Sequence, residues 1–272
     1  MIIDFHTHIF PTDMAAKTLE AMDKRSIPAY SDGTLEGLIQ SMDAAGIDLS
    51  VVSRITTKPE QVEPVNQWLL STRQERIQPL ATWLPDCPVE PDSLTRVKNQ
   101  GFKGFKLHPD YQGFLADDRI MYPFYEAAQA ESMFILFHAG LDQGLQGPLN
   151  APPERLVKIH KDFPELSMIL AHMGGEDIYD RTEACLLGSD IYLDTSFVLR
   201  KMPINILERF FSKHPTERFL FGTDSPWVDQ NLDLKFLFSL PFLAEAAKEK
   251  IAGTNAARLL GLVQKMKGEN DE

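Results

Sequence analysis

The stretch MIIDFHTHIF, residues 1–10, runs from an apolar strand straight into a pair of histidines. Ile2, Ile3 and Phe5 suit a buried β-strand, and side chains two apart on a strand share a face. His6 and His8 therefore lean toward one point at the strand's carboxyl end. An H-x-H pair is a weak signal alone, because histidines also serve as satisfied polar residues. Its meaning depends on whether other strands end the same way.

Outward from this stretch, apolar runs recur at intervals of roughly thirty residues, separated by amphipathic segments, as expected of successive βα units. They are LSVVS (49–53), PLATWL (79–84), FKGFKLH (102–108), MFILFH (133–138), SMILAH (167–172), IYLDTS (191–196) and RFLFGTD (218–224). Most are apolar on both faces, which suits a parallel sheet covered by helices. In the first crossover Ser31 and Asp32 are candidate caps, and Leu35, Leu38, Ile39 and Met42 recur at helical spacing. Gly46 then offers a left-handed stop, with Ile47 placed to pack back. No GxGxxG follows the first strand, so a dinucleotide fold lacks its main support. Counting residues 2–6, eight strands and their helices occupy 272 residues with no linker between them. That pattern predicts one (β/α)₈ TIM-type barrel over residues 1–272.

The composition, 43% hydrophobic and 24% charged, fits a globular α/β chain with a sizeable core. A formal net charge of −12, with no offsetting Lys/Arg-rich run, argues against nucleic acid as a partner. No charged-then-apolar leader opens the sequence, and no apolar stretch is long enough to span a bilayer. Cys87 and Cys185 lie far apart without CxxC spacing and read as free thiols of a reducing compartment. The expectation is a cytoplasmic protein acting on a small molecule, with a homo-oligomer compatible with the sequence.

The seven histidines sort by position. His6 and His8 close the first strand, His108 the fourth, His138 the fifth and His172 the sixth, while Asp224 closes the eighth. His160 and His214 precede strands and so belong near the opposite face. In a (β/α)₈ barrel all strand carboxyl ends meet at the face that carries the active site. Five histidines and a carboxylate there make a divalent metal centre the favoured reading over isolated polar strand ends.

The ordered set DFHTHIFP, GFKLHP, FHAG, LAHMGG, YLDTS and FGTDSPW resembles the amidohydrolase superfamily. It is most similar to the amidohydrolase-related branch that includes aminocarboxymuconate-semialdehyde decarboxylase. The likeness extends to TNAARLLGL near the end, and implies a distorted barrel with a metal centre. It assigns His6, His8, His138 and Asp224 as metal ligands, and makes His172 a catalytic group beside the metal. It leaves Lys106 two roles: a carboxylated lysine bridging a second metal, or a cation that holds a substrate carboxylate. One metal is the expectation, most plausibly zinc, with manganese or cobalt as alternatives, because a catalytic zinc commonly keeps an open position.

The chemistry follows from such a centre. A bound divalent ion brings the pKa of its water to about 7 and polarises carbonyls. Asp224 can hold the ion and accept a proton, and His172 can stabilise an oxyanion or relay a proton. Lys106 and Arg54 are the candidate grips for a substrate carboxylate, and Trp227, like Trp83, a candidate pocket wall. His108 is a candidate partner of a ligand rather than a ligand itself. The leading expectation is hydrolysis of a small ester, lactone or amide. The alternative is nonoxidative decarboxylation of a small unsaturated or aromatic carboxylic acid. A metal-stabilised binding protein without catalysis is a third reading, weakened by the presence of both His172 and Asp224.

Overall fold

The computed structural model describes residues 1–145, 147 and 149–262. Among the described residues nine strands appear: β1 Ile3–His8, β2 Leu49–Ser53, β3 Ile77–Pro79, β4 Ala81–Thr82, β5 Gly104–Leu107, β6 Phe134–Phe137, β7 Met168–Leu170, β8 Tyr192–Asp194 and β9 Phe219–Leu220. All neighbours pair in parallel, β1 to β3 in one sheet and β4 to β9 in another. The expected third strand is β3 and β4, interrupted only at Leu80, whose N–H still donates to the Val52 carbonyl at 2.9 Å. At the other seam Phe5 donates to the Phe221 carbonyl (2.8 Å), Asp224 to that of His6 (2.8 Å) and His8 to that of Ser225 (2.6 Å). These bonds close eight staves into the (β/α)₈ barrel expected from the run of strands.

Ile3, Phe5, Val51, Leu80, Phe134, Leu136, Ile169 and Leu220 form one buried cluster contributed by staves all round the barrel. Ala256, Ala257 and Leu260, from the helix Asn255–Leu259 and the turn after it, join that cluster and plug its lower end. A larger cluster lies between the strands and the surrounding helices, which include Leu35–Ala45, Val62–Ser71, Tyr122–Ala130, Pro153–Asp162, Ile204–Lys213 and Gln230–Ser239. In it Phe105 on β5 meets Phe124 edge-on, with ring centroids 4.9 Å apart. Each such side chain contributes about 1.5–3 kcal/mol on burial.

Strand parity alone would turn His6 and His8 away from the face that holds Ile3 and Phe5. The structure resolves this with an irregularity in β1. Asp4 pairs with Ser50 but Thr7 with Val52, so one extra residue enters β1 between them. Such a bulge reverses the alternation, and both histidines face the interior with the core residues below them.

The first crossover helix covers Leu35–Ala45 as the periodicity requires, and Gly46 ends it in the left-handed conformation (φ 70°, ψ 33°). The Ile47 N–H reaches back to the Met42 carbonyl at 2.9 Å, which completes the C-terminal turn. The cap itself is Thr34, whose hydroxyl accepts from the Gly37 N–H, rather than Ser31 or Asp32. Asp32 acts one step back, accepting from both the N–H and the hydroxyl of Thr34. A further helix, Thr12–Asp23, precedes this unit, and its Thr18 and Met22 line the cavity at the mouth of the barrel. No helix among the described residues is long and apolar enough to cross a membrane.

Candidate metal centre and substrate cavity

At the carboxyl ends of the staves lies a cavity of about 330 Å³, lined by residues that include His6, His8, Arg54, Lys106, His108, His138, His172, Asp224 and Trp227. At its floor the side chains of His6, His8 and Asp224 offer ligand atoms all within 4.8 Å of one another. His8 Nε2 is 3.0 Å from Asp224 Oδ1, and His6 Nε2 is 3.4 Å from the same oxygen. Gly222 makes this close packing feasible, since a Cβ there would stand 2.9 Å from the Cβ of His6.

The second ring nitrogens decide which atoms are free. His6 Nδ1 faces the Asp194 carboxylate at 2.8 Å, and His8 Nδ1 faces the Ser53 carbonyl at 3.1 Å. Both partners accept only, so both Nδ1 atoms carry the proton and both Nε2 atoms present lone pairs. Those lone pairs lie 3.2 Å apart beside a carboxylate oxygen, a repulsive arrangement that a cation would relieve. His172 Nδ1 likewise donates to the Ser196 carbonyl at 3.0 Å, so its Nε2 accepts from His138 Nδ1 at 3.1 Å. His138 Nε2 is left bare, buried and without a hydrogen-bond partner. Four donor atoms of neutral imidazole and carboxylate type thus face the cavity, a set that fits a divalent metal ion. His138 stands outside the tight group of His6, His8 and Asp224, one histidine away.

The electrostatics agree with this chemistry. Burial, with the nearby Lys106 charge, lowers His6 to about 4, so its ring is neutral at pH 7. Burial also holds His138 well below the usual histidine range. Burial alone would raise Asp224, but the His8 hydrogen bond and the surrounding histidines keep it ionised, well below the usual carboxylate range. Asp194, despite its burial, is held at about 2 by His6.

Lys106, on the fourth stave, is 2% exposed, and its Nζ lies 3.0 Å from His6 Nε2. Burial lowers it to about 8, with Asp194, Asp224 and Asp142 resisting that shift. Arg54 is half-buried at the wall, its guanidinium 5.6 Å above the Trp68 ring. Trp227 lines the cavity beside Phe10, with ring centroids 6.2 Å apart. Trp83 instead stacks on Phe124 at 5.4 Å and belongs to the core. His108 stacks flat on His138 at 3.9 Å and its Nε2 meets Asp142 at 3.0 Å, so it supports a neighbouring ring. His172, Phe197 and Asp224, all cavity-lining, have left-handed backbones (φ 58°, 63° and 70°), a cost of about 1–3 kcal/mol each that the packed surroundings enforce.

Sequence reading missed several members of this site. Asp194 and Ser196 stand inside the quoted YLDTS, and a carboxylate ending an otherwise apolar strand was the available signal. Asp142, Glu176 and Phe197 come from loops, and no periodicity marks them. Glu176 is 3% exposed, and burial raises it to about 9, with Asp224 and Asp177 adding to the shift.

Among solved structures, a manganese-bound dihydroxybenzoic acid decarboxylase from Polaromonas sp. JS666 aligns over 96% of this chain and 97% of its own, at 19% identity and a TM-score of 0.72. The 5-carboxyvanillate decarboxylase of Sphingomonas paucimobilis aligns over 96% and 98%, at 18% identity and a TM-score of 0.72. The 4-oxalomesaconate hydratase of Rhodopseudomonas palustris covers 100% of both chains, at 21% identity and a TM-score of 0.67. At these identities the likeness is one of fold. Among curated proteins no sequence match is found. The sequence family described as amidohydrolase matches residues 3–262, all eight staves included. The chain belongs to the amidohydrolase family.

Proposed function

We propose that this chain is a metal-dependent enzyme that removes carbon dioxide from a small, flat carboxylic acid. The observation that carries the reading is Lys106. Its ammonium is buried beside the metal-type cluster, forms no ion pair among the described residues, and has His6 Nε2 as its hydrogen-bond partner. That lone pair cannot serve both a metal and Lys106, so the ammonium is left for a substrate anion. A cation in an apolar cavity is stabilised by a carboxylate through a charge-assisted hydrogen bond.

In this reading His6, His8, His138 and Asp224 are the residues that hold the ion. When bound, the ion supplies Lewis acidity toward a substrate oxygen, and acidifies water. Lys106, with Arg54 and Trp227 at the walls, binds and orients the acid. Loss of carbon dioxide leaves an electron pair on carbon, which must take up one proton. His172 is positioned to move that proton, and Glu176, kept neutral by burial, still holds one at pH 7. Decarboxylation is also the activity named for two of the structurally similar enzymes.

A second reading is hydrolysis of a small ester, lactone or amide. Asp224 favours it, because its carboxylate stands in the cavity lining beside His8, where it can accept a proton from water. The test is to supply aromatic and unsaturated acids labelled in the carboxyl carbon, beside a panel of lactones, esters and amides. Labelled carbon dioxide is the expected product. Turnover of the second panel with no carbon dioxide from the first would overturn the assignment and leave hydrolysis.

A further inference from the structure

We infer that the substrate of this cavity carries two anionic groups, the second of them held by Arg54. The inference rests on the reading that Lys106 receives the first. Arg54 follows β2, the second stave, whereas Lys106 stands on the fourth. Two inter-strand spacings, roughly 10 Å, separate their backbones. Their side chains also diverge. Lys106 reaches inward to His6 on the first stave, at 3.0 Å. Arg54 extends toward the outer wall, with Nη2 3.5 Å from the Met14 sulfur and its guanidinium over Trp68 of the helix Val62–Ser71. One carboxylate cannot bridge them.

Arg54 also has no ion-pair partner among the described residues, although Asp13 attracts it through space. A half-buried guanidinium that gives one Nη2 N–H to a thioether and lies over an indole face keeps the rest of its planar donor fork for a second carboxylate or a phenolate. The cavity lining also offers apolar surface, from Phe10, Ile55 and Trp227. Apart from histidines, Arg54 and Lys106 are the basic residues of that lining among the described residues, in a chain whose net charge is −12. A ligand that fits has an apolar, planar body with an anion at either end.

Calorimetric binding of unreactive acids tests this: benzoate against benzene-1,3- and benzene-1,4-dicarboxylate, on the wild-type protein, Arg54→Met, Arg54→Lys and Lys106→Met. At least one diacid is expected to bind about 10- to 100-fold more tightly than benzoate, the worth of one added charge-assisted contact. Arg54→Met should abolish that preference, weakening the favoured diacid by at least about 10-fold more than it weakens benzoate. Arg54→Lys should keep part of it, which separates lost charge from a damaged wall. Lys106→Met should weaken every acid. A diacid preference that survives Arg54→Met, or no preference while benzoate still depends on Lys106, overturns the inference and leaves the Lys106 reading standing. Benzoate binding indifferent to Lys106→Met removes that reading as well, and the inference with it.

Discussion

His172 shows how much a single side chain can be asked to carry. It sits in the left-handed region, with Nδ1 donating to Ser196 and Nε2 accepting from His138. Its ring therefore touches a proposed metal ligand without standing in the group formed by His6, His8 and Asp224. A residue with that placement tunes its neighbour and moves protons rather than holding the ion. His172→Asn is expected to keep most of the metal and lose turnover by roughly 10²–10⁴-fold, the usual worth of a positioned acid–base group. Metal content and initial rates measured on the same preparation check this. Loss of the metal along with the activity would make His172 a ligand.

At the scale of elements, the joint between the helix Ile204–Lys213 and β8 depends on His214. The ring is 3% exposed; its Nε2 donates to the Ile191 carbonyl at 2.9 Å, and its Nδ1 accepts from the Gly188 N–H at 3.2 Å. Ile191 leads into β8 at the end remote from the cavity, which is where the sequence placed His214. Burial lowers its pKa to about 4. The folded protein keeps this ring neutral, while the unfolded chain takes up a proton below about 6.5. Its contribution to stability is thus full above pH 6.5 and is lost as the pH falls toward 4, by on the order of 3 kcal/mol. His214→Gln can keep both hydrogen bonds but not the titration. Urea unfolding from pH 7 to 4.5 should therefore fall less steeply with pH in the variant than in the wild type. Parallel curves for the two proteins would show that His214 does not titrate in this way.

At the scale of the whole molecule, the candidate metal centre ties the first stave to the fifth and the eighth, so occupancy should couple to global stability. Chelation is expected to lower the unfolding temperature, and zinc, manganese or cobalt to restore it, since a ligand that binds only the folded state stabilises by mass action. Elemental analysis should give about one ion per chain. A value near two would bring Lys106 in as a bridging ligand. No metal, and no thermal response to any of the three ions, would remove the centre from the account. Much of this architecture was legible in the chain itself. The eight apolar runs, the helical spacing that ends at Gly46, and the sorting of histidines to strand ends follow from local periodicity and turn chemistry, which sequence records directly. What sequence could not express is parity and convergence. His6 and His8 face the interior because one extra residue enters β1, and a bulge depends on how two strands pair rather than on either strand alone. Asp194 and Ser196 became partners of His6 and His172 only when the barrel closed. Asp142, Glu176 and Phe197 reached the cavity through loops whose course obeys no period. Periodicity determined which residues form strands and which of them end in histidine. Closure of the barrel decided which lone pairs meet, because those contacts join residues up to 218 positions apart, as from His6 to Asp224, and no local pattern constrains such a distance.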